Sequence, residues 1–276
     1  MDNRPIGIFD SGLGGLTAVM ALRRLMPEEN IVYFADSARV PYGEKSREEL
    51  LVMARQDLDL LASFSAKAII AACGTVSSNA PHILEGYPLP VCGVLNPGIE
   101  AMARVPGRAP LGIIATAASI KAGAFRRALT DKAPGRQIID LPCPDFVPLI
   151  ESGHTSPQDP ALCRAVEEAL APVKAAGAGA LLLGCTHYGI ISDAIRGYLG
   201  PEVALVSASD CVAEKTCQKL KDLGLTGGSG ETRYYTSGDD AAFSAAASAL
   251  LGQEIQAEHL PPMEIQDITD KEEHKQ

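Results

Sequence analysis

AIIAACGTVSSN (residues 68–79) and ALLLGCTHY (residues 180–188) share one arrangement: an apolar run of four or five residues, then a cysteine with a threonine one or two places on. A short run that is apolar on both faces and closes on helix-start residues reads as a buried parallel strand. Further runs of this kind lie at residues 6–9, 31–34, 91–95, 111–115, 138–141, 203–206 and 233–236, giving nine in all. Longer segments with apolar residues at helical spacing separate them, as at 48–64, 159–175 and 211–223. The alternation predicts an α/β fold of doubly wound parallel sheets joined by right-handed crossovers. The repeated cysteine turn predicts two related, pseudo-symmetric halves facing each other. Boundaries near residues 96–97 and 207 divide the chain into a first domain, 1–96 plus 207–260, a second domain, 97–206, and a polar, acidic tail, 261–276, expected to be loosely ordered.

Composition narrows the function classes. The 276 residues carry 24 Lys+Arg against 34 Asp+Glu, a formal net charge of −10, with 46% hydrophobic residues. An acidic chain without a dense basic block has no electrostatic footprint for nucleic acid. No apolar run approaches the roughly 18 residues of a membrane span. MDNRPIGIFD (residues 1–10) lacks the pattern of a signal peptide, so a cytoplasmic protein is expected. Seven scattered cysteines, an odd number in a reducing compartment, argue against a disulfide framework, and the absence of C-x-x-C removes the usual zinc and thioredoxin-like signals.

IGIFDSGLGG (residues 6–15) joins a strand to a helix through glycines 12, 14 and 15. Such a turn suits an anion, and Asp36 stands at the distance expected of a dinucleotide fingerprint. Two details argue against NAD: Thr17 stands where that fingerprint wants Gly or Ala, and Asp10 would set a carboxylate beside the pyrophosphate. A tight turn alone also accounts for the glycines.

Open α/β sheets collect ligands at the carboxyl ends of their strands, where Cys73 and Cys185 both stand. A helix start after Cys73 is expected to favour its thiolate, and His187 to pair with Cys185. Cys92, Cys163, Cys211 and Cys217 read instead as small buried hydrophobes. Two opposed thiols suit inversion at carbon, one removing a proton and the other returning it on the opposite face, with Asp10 and His187 as partners.

FDSGLGG (9–15), DSARVPYGEKS (36–46), AACGT (71–75), GIIATAASIKAGAF (112–125), CPDFVPLIESG (143–153) and GCTHY (184–188) resemble, in order, the signature blocks of the cofactor-independent glutamate racemases. The resemblance implies two α/β domains with glutamate between them, no cofactor and no metal, a small-molecule substrate that is converted to D-glutamate for peptidoglycan, and a homodimer. It implies that Cys185 acts on L-glutamate and Cys73 on D-glutamate, assisted by Asp10, Glu151 and His187. By the same resemblance Asp10, Ser11, Pro41, Tyr42, Gly43, Gly74, Thr75, Thr116, Ser119 and Thr186 surround the substrate. Read without it, Glu151 and Tyr42 are surface or turn residues, and Thr116 and Ser119 mark a helix start.

The chain departs from the family pattern at three places. Gly74 stands where the family usually has Asn, removing an amide expected to contact the substrate; Gly189 replaces a Pro, and Ser119 a Thr. Regulation through an extension ahead of the first strand is not expected. Gly74 keeps an aspartate or hydantoin racemase of the same superfamily in view. A non-catalytic amino-acid binding module and a thiol hydrolase using Cys185 and His187 are further alternatives.

Overall fold

A computed structural model of the chain describes residues 2–261. Ten strands run through them: β1 (Ile6–Asp10), β2 (Ile31–Ala35), β3 (Ala68–Ala71), β4 (Val91–Gly93), β5 (Leu111–Ala115), β6 (Ile138–Pro142), β7 (Ala180–Leu183), β8 (Ala204–Ser207), β9 (Thr232–Thr236) and β10 (Ala257–His259). They form two sheets, in the orders β10-β9-β2-β1-β3-β4 and β6-β5-β7-β8. Every pairing is parallel.

The two sheets repeat one plan. Read from one edge, β2-β1-β3-β4 has the same connectivity as β6-β5-β7-β8. Ile6 pairs with both Ile31 and Ala68, just as Leu111 pairs with both Ile138 and Ala180. Cys73 follows the third strand of the first unit and Cys185 the third strand of the second, so the two thiols hold equivalent places. Each lies beside the switch point where strand order reverses, the natural position for a ligand in this architecture.

Packing follows from the strands being apolar on both faces. One cluster joins Ile8, Leu16 and Ile70 of the first unit to Ile113, Phe125 and Leu182 of the second, through the helices Leu95–Ala103 and Ala208–Asp222. Phe9, Leu58 and Ile69 head the core on the far side of the first sheet, and Ile114, Phe146 and Leu181 the core on the far side of the second. The chain thus builds the first sheet, then the second, and returns through the helix Ala208–Asp222 to add β9 and β10.

The apolar run at 91–95 ends as a strand at Gly93, and Leu95 opens a helix that contains Asn96 and Pro97. Val94 and Leu95 are buried, one before and one within the first turn of that helix, and an apolar run alone does not separate a strand from a buried helix start. The tenth strand, β10, is a short edge with exposed Glu258 and His259 and had no apolar signal. The tail expected at 261–276 lies, apart from Pro261, outside the described residues. No described helix is long and apolar enough to cross a membrane.

Candidate active site

A cavity of about 450 Å³ opens between the carboxyl ends of the two sheets. It is lined from the first unit by Asp10, Ser11, Pro41, Tyr42, Gly43, Cys73, Gly74 and Thr75, and from the second by Thr116, Glu151, Cys185, Thr186 and His187. Of the site residues expected from the sequence, Ser119 alone lies behind this wall. It is buried, at hydrogen-bonding distance from Thr116 Oγ1 (3.0 Å) and Ser78 Oγ (3.2 Å), and supports the wall. Val40, Glu44, Ala117, Ala118, Cys143, Pro144, Val147 and Pro148 also line the cavity. The sequence assigns none of these a role, Cys143 included.

Hydroxyls tie the two halves together around the cavity. Thr186 Oγ1 donates to Asp10 Oδ2 at 2.9 Å, and Thr75 Oγ1 lies 3.2 Å from Thr116 Oγ1. Thr116 also caps the helix Ala117–Ala122 by accepting from the Ser119 N–H, the helix start expected there. The glycines of the first turn serve close packing: a Cβ on Gly14 would lie 2.4 Å from His187 Nδ1, and one on Gly15 2.5 Å from Asp10 Cβ. Neither lines the cavity, in keeping with the tight-turn reading of these glycines, and their backbone is the surface against which Asp10 and His187 are seated.

Cys73 is the cap residue of the helix Gly74–Asn79, and the Thr75 and Val76 N–H groups bear on its sulfur. The helix start is therefore where the sequence placed it, yet its effect on charge is outweighed. Burial and the neighbouring Asp10 carboxylate push the Cys73 thiol well above its ordinary value. Asp10 is itself raised, chiefly by burial, against the pull of His187 and the hydrogen bond from Thr186.

Around Cys185 the balance differs. His187 Nδ1 lies 3.8 Å from Cys185 Sγ, and its Nε2 lies 3.2 Å from Glu151 Oε1. Both ring nitrogens face acceptors, which suits the doubly protonated imidazolium. Burial opposes that charge, but the bonds to Cys185 and Glu151 together push His187 up to about 10. Glu151, expected at the surface from its residue type, is half-exposed and reaches inward with this one contact.

That contact carries a testable linkage. A histidine raised in the folded state contributes stability that is whole below its unfolded value, near 6.5, and is lost as pH rises through about 10. Glu151→Gln should accordingly lower Tm at pH 6 by up to about 2 °C, since a half-exposed pair contributes under about 1 kcal/mol. The gap should close between pH 6.5 and 10, the window set by His187. A pH-independent gap in thermal melts would show that Glu151 acts without His187.

The seven cysteines are unpaired. Cys92 and Cys217 are buried, as a packing role requires, but Cys163 is exposed with its thiol donating to Pro157 O at 3.3 Å, and Cys211 is half-buried. Cys163 stands on the outer face of the helix Pro160–Ala175, whose inner face is filled by Leu162, Val166 and Leu170. Cys143 is buried and pushed up to about 12, first by burial and then by Cys185. Tyr42 is buried rather than in an exposed turn, held by acidic partners described below. Among the described residues no cluster of His, Cys, Asp or Glu is arranged to hold a metal.

Comparison with known proteins bears on this geometry. The family profile described as Asp/Glu/Hydantoin racemase matches residues 17–216. A glutamate racemase of Picosynechococcus sp. is 37% identical over 253 residues, 91% of this chain and 89% of that protein. The crystal structure of glutamate racemase from Francisella tularensis in complex with D-glutamate superposes with a TM-score of 0.86 at 34% identity, covering 95% of this chain and 99% of the other. Isoform RacE1 from Bacillus anthracis gives a TM-score of 0.88 at 29% identity over 94% and 98% of the two chains. With a family profile over most of its length and relatives aligned nearly end to end, the chain belongs to the Asp/Glu/hydantoin racemase family, alongside its glutamate racemases.

Proposed function

We propose that the chain is a cofactor-independent glutamate racemase that interconverts L- and D-glutamate in the cavity between the two sheets. The observation that carries this reading is the pairing of each cavity thiol with a different ionisable partner, Asp10 at Cys73 and His187 at Cys185. A cation beside one sulfur and a carboxylate beside the other favour opposite protonation states. Cys185 then takes the α-proton of L-glutamate as the negative end of an ion pair with His187, while Cys73 delivers its own proton to the opposite face of Cα. In the reverse direction Asp10, raised by burial, receives the proton of Cys73 and frees that sulfur as the base.

Hydroxyls and backbone N–H groups from both halves suit the carboxylates of the substrate, each of which accepts several hydrogen bonds. Ser11, Thr75, Thr116 and Thr186 supply them, with Pro41, Tyr42 and Gly43 closing one wall. At Gly74 a backbone surface stands where relatives usually carry an amide. The first and last parts of the chain, 1–96 and 207–260, are read as one domain and 97–206 as the other. Supply of D-glutamate to peptidoglycan, a cytoplasmic location and a homodimer complete the reading, as extensions of the family relationship.

The test is incubation with L-glutamate and, separately, L-aspartate in D₂O, following optical rotation and α-deuteration. Racemization with deuterium uptake is expected for glutamate; uptake with aspartate alone would replace glutamate as the substrate. The rate should also trace a bell against pH, because one thiol and one thiolate are needed at once. The coupling of His187 to Cys185 sets the alkaline side, falling as pH passes about 10. A rate that does not fall as pH passes about 10 would remove the His187–Cys185 pair from the rate-determining chemistry.

A further inference from the structure

Beneath one wall of the cavity lies an acidic cluster that the proton transfers do not use. Asp36 and Asp57 are both fully buried, and the Tyr42 hydroxyl reaches both: it bonds to Asp36 Oδ2 and lies 3.2 Å from Asp57 Oδ2. Arg39 spans the same pair, with Nε 2.5 Å from Asp36 Oδ2 and Nη2 2.9 Å from Asp57 Oδ1. Ser237 Oγ donates to the remaining oxygen, Asp36 Oδ1, at 2.9 Å.

Counting protons exposes a shortfall. The Tyr42 hydroxyl has one proton and faces two carboxylate oxygens, so it can donate to only one of them. If both carboxylates were ionised, the second contact would set lone pair against lone pair, and the buried cluster would carry one negative charge in excess of Arg39. A single additional proton removes both faults: a protonated Asp57 donates to the Tyr42 oxygen, Tyr42 donates to Asp36, and Arg39 balances Asp36.

We propose that Asp57 is a carboxylic acid in the working protein and that, through the Tyr42 hydroxyl, it is a positioning residue for the Val40–Glu44 wall of the substrate cavity. The direction of titration agrees. Burial and the charge of Asp36 push Asp57 well up, with Arg39 opposing and Asp10 adding a further negative neighbour. Arg39 and Tyr42 are in direct contact with it, and Asp36 and Asp10 act on it through their charge. The wall hangs from this cluster at two points. Arg39 closes the turn Ser37–Arg39, and Tyr42 opens the next turn, with Val40 and Pro41 between them facing the cavity.

The proposal rests on the reading of the cavity as the glutamate site only for its kinetic readout. An amide mimics a neutral acid, so Asp57→Asn keeps a donor for Tyr42 and an acceptor for Arg39. Asp57→Asn should hold KM within about 2-fold of the wild type, whereas Asp57→Ala should raise it about 10-fold with kcat changed far less. Infrared difference spectra of wild type against Asp57→Asn should show the carbonyl band of a buried protonated acid, persisting above pH 7, that the variant lacks. Absence of that band, or an Asp57→Asn variant as impaired as Asp57→Ala, would establish an ionised Asp57 and overturn the proposal. The band requires no turnover. A wild type that shows it but does not racemize glutamate would leave the protonated Asp57 standing and fail the substrate reading instead.

Discussion

Replacing either cavity cysteine by serine should stop racemization, with kcat/KM falling by about 10³-fold or more, because an alcohol is far too weak an acid to act as the base a thiol supplies. The informative result is the difference between the two variants in D₂O. Cys185→Ser retains Cys73, so D-glutamate should still exchange its α-proton for deuterium without inversion, while L-glutamate should not. Cys73→Ser should show the converse. Mass spectrometry of each recovered enantiomer separates the two patterns. A thiol hydrolase would leave Cys73→Ser fully active and accumulate an acyl group on Cys185. A binding module would be indifferent to both changes. Loss of exchange from both enantiomers in both variants would mean that the thiols cannot act singly and would remove the two-base assignment.

The second large effect is expected at Gly74. A Cβ built there would lie 2.3 Å from the Gly184 carbonyl oxygen, a backbone atom in the residue just before Cys185. Relief requires the two cysteine turns to separate, because neither a strand-end carbonyl nor the residue after a buried cysteine can rotate away. Gly74→Ala should therefore cut kcat by about 100-fold, the scale set by misplacement of reacting groups by about 1 Å. Stability should fall by a comparable amount, about 1–3 kcal/mol, since the added Cβ must be accommodated by parting the two halves. Gly74→Asn, which restores the residue usual in relatives, should be no better than Gly74→Ala. Recovery of full activity in Gly74→Asn would show that the substrate contact outweighs the close approach. Turnover numbers together with thermal melts distinguish these outcomes.

The elements that could be read from sequence were those whose burial is complete and local. Strands such as Ile6–Asp10 and Ala180–Leu183 are buried along their whole length because helices cover both faces, so their largely apolar composition announces them. Ala257–His259 shows the opposite case. It pairs along one edge, buries little, and is specified by its neighbour Thr232–Thr236 rather than by its own residues. Leu95 reads as strand from sequence because a buried helix start and a strand end are equally apolar.

The site divides in the same way. Asp10 ends a strand, Cys73, Cys185 and Thr186 come within three residues of a strand end, and position at a strand end is a local property. Tyr42 and Glu151 depend on partners distant in the chain: Asp57 is 15 residues from Tyr42, and His187 is 36 residues from Glu151. No spacing encodes such a contact, and only the family resemblance pointed to them. Cys163 misled for a simpler reason, since its helical face turned out to be the solvent-facing one.

The repeated strand order has one more consequence. The two four-stranded units share one strand order, and their equivalent cysteines line the one cavity between them. The reaction proposed for the cavity has its own symmetry, because its substrate and product are mirror images that differ only in the face of Cα bearing hydrogen. A scaffold made by doubling presents the same kind of group to each of those faces, so neither enantiomer is foreign to it. The departures from that repeat, Asp10 on one side and His187 with Glu151 on the other, let kcat and KM differ between the enantiomers, while an equilibrium constant of unity holds kcat/KM equal in the two directions.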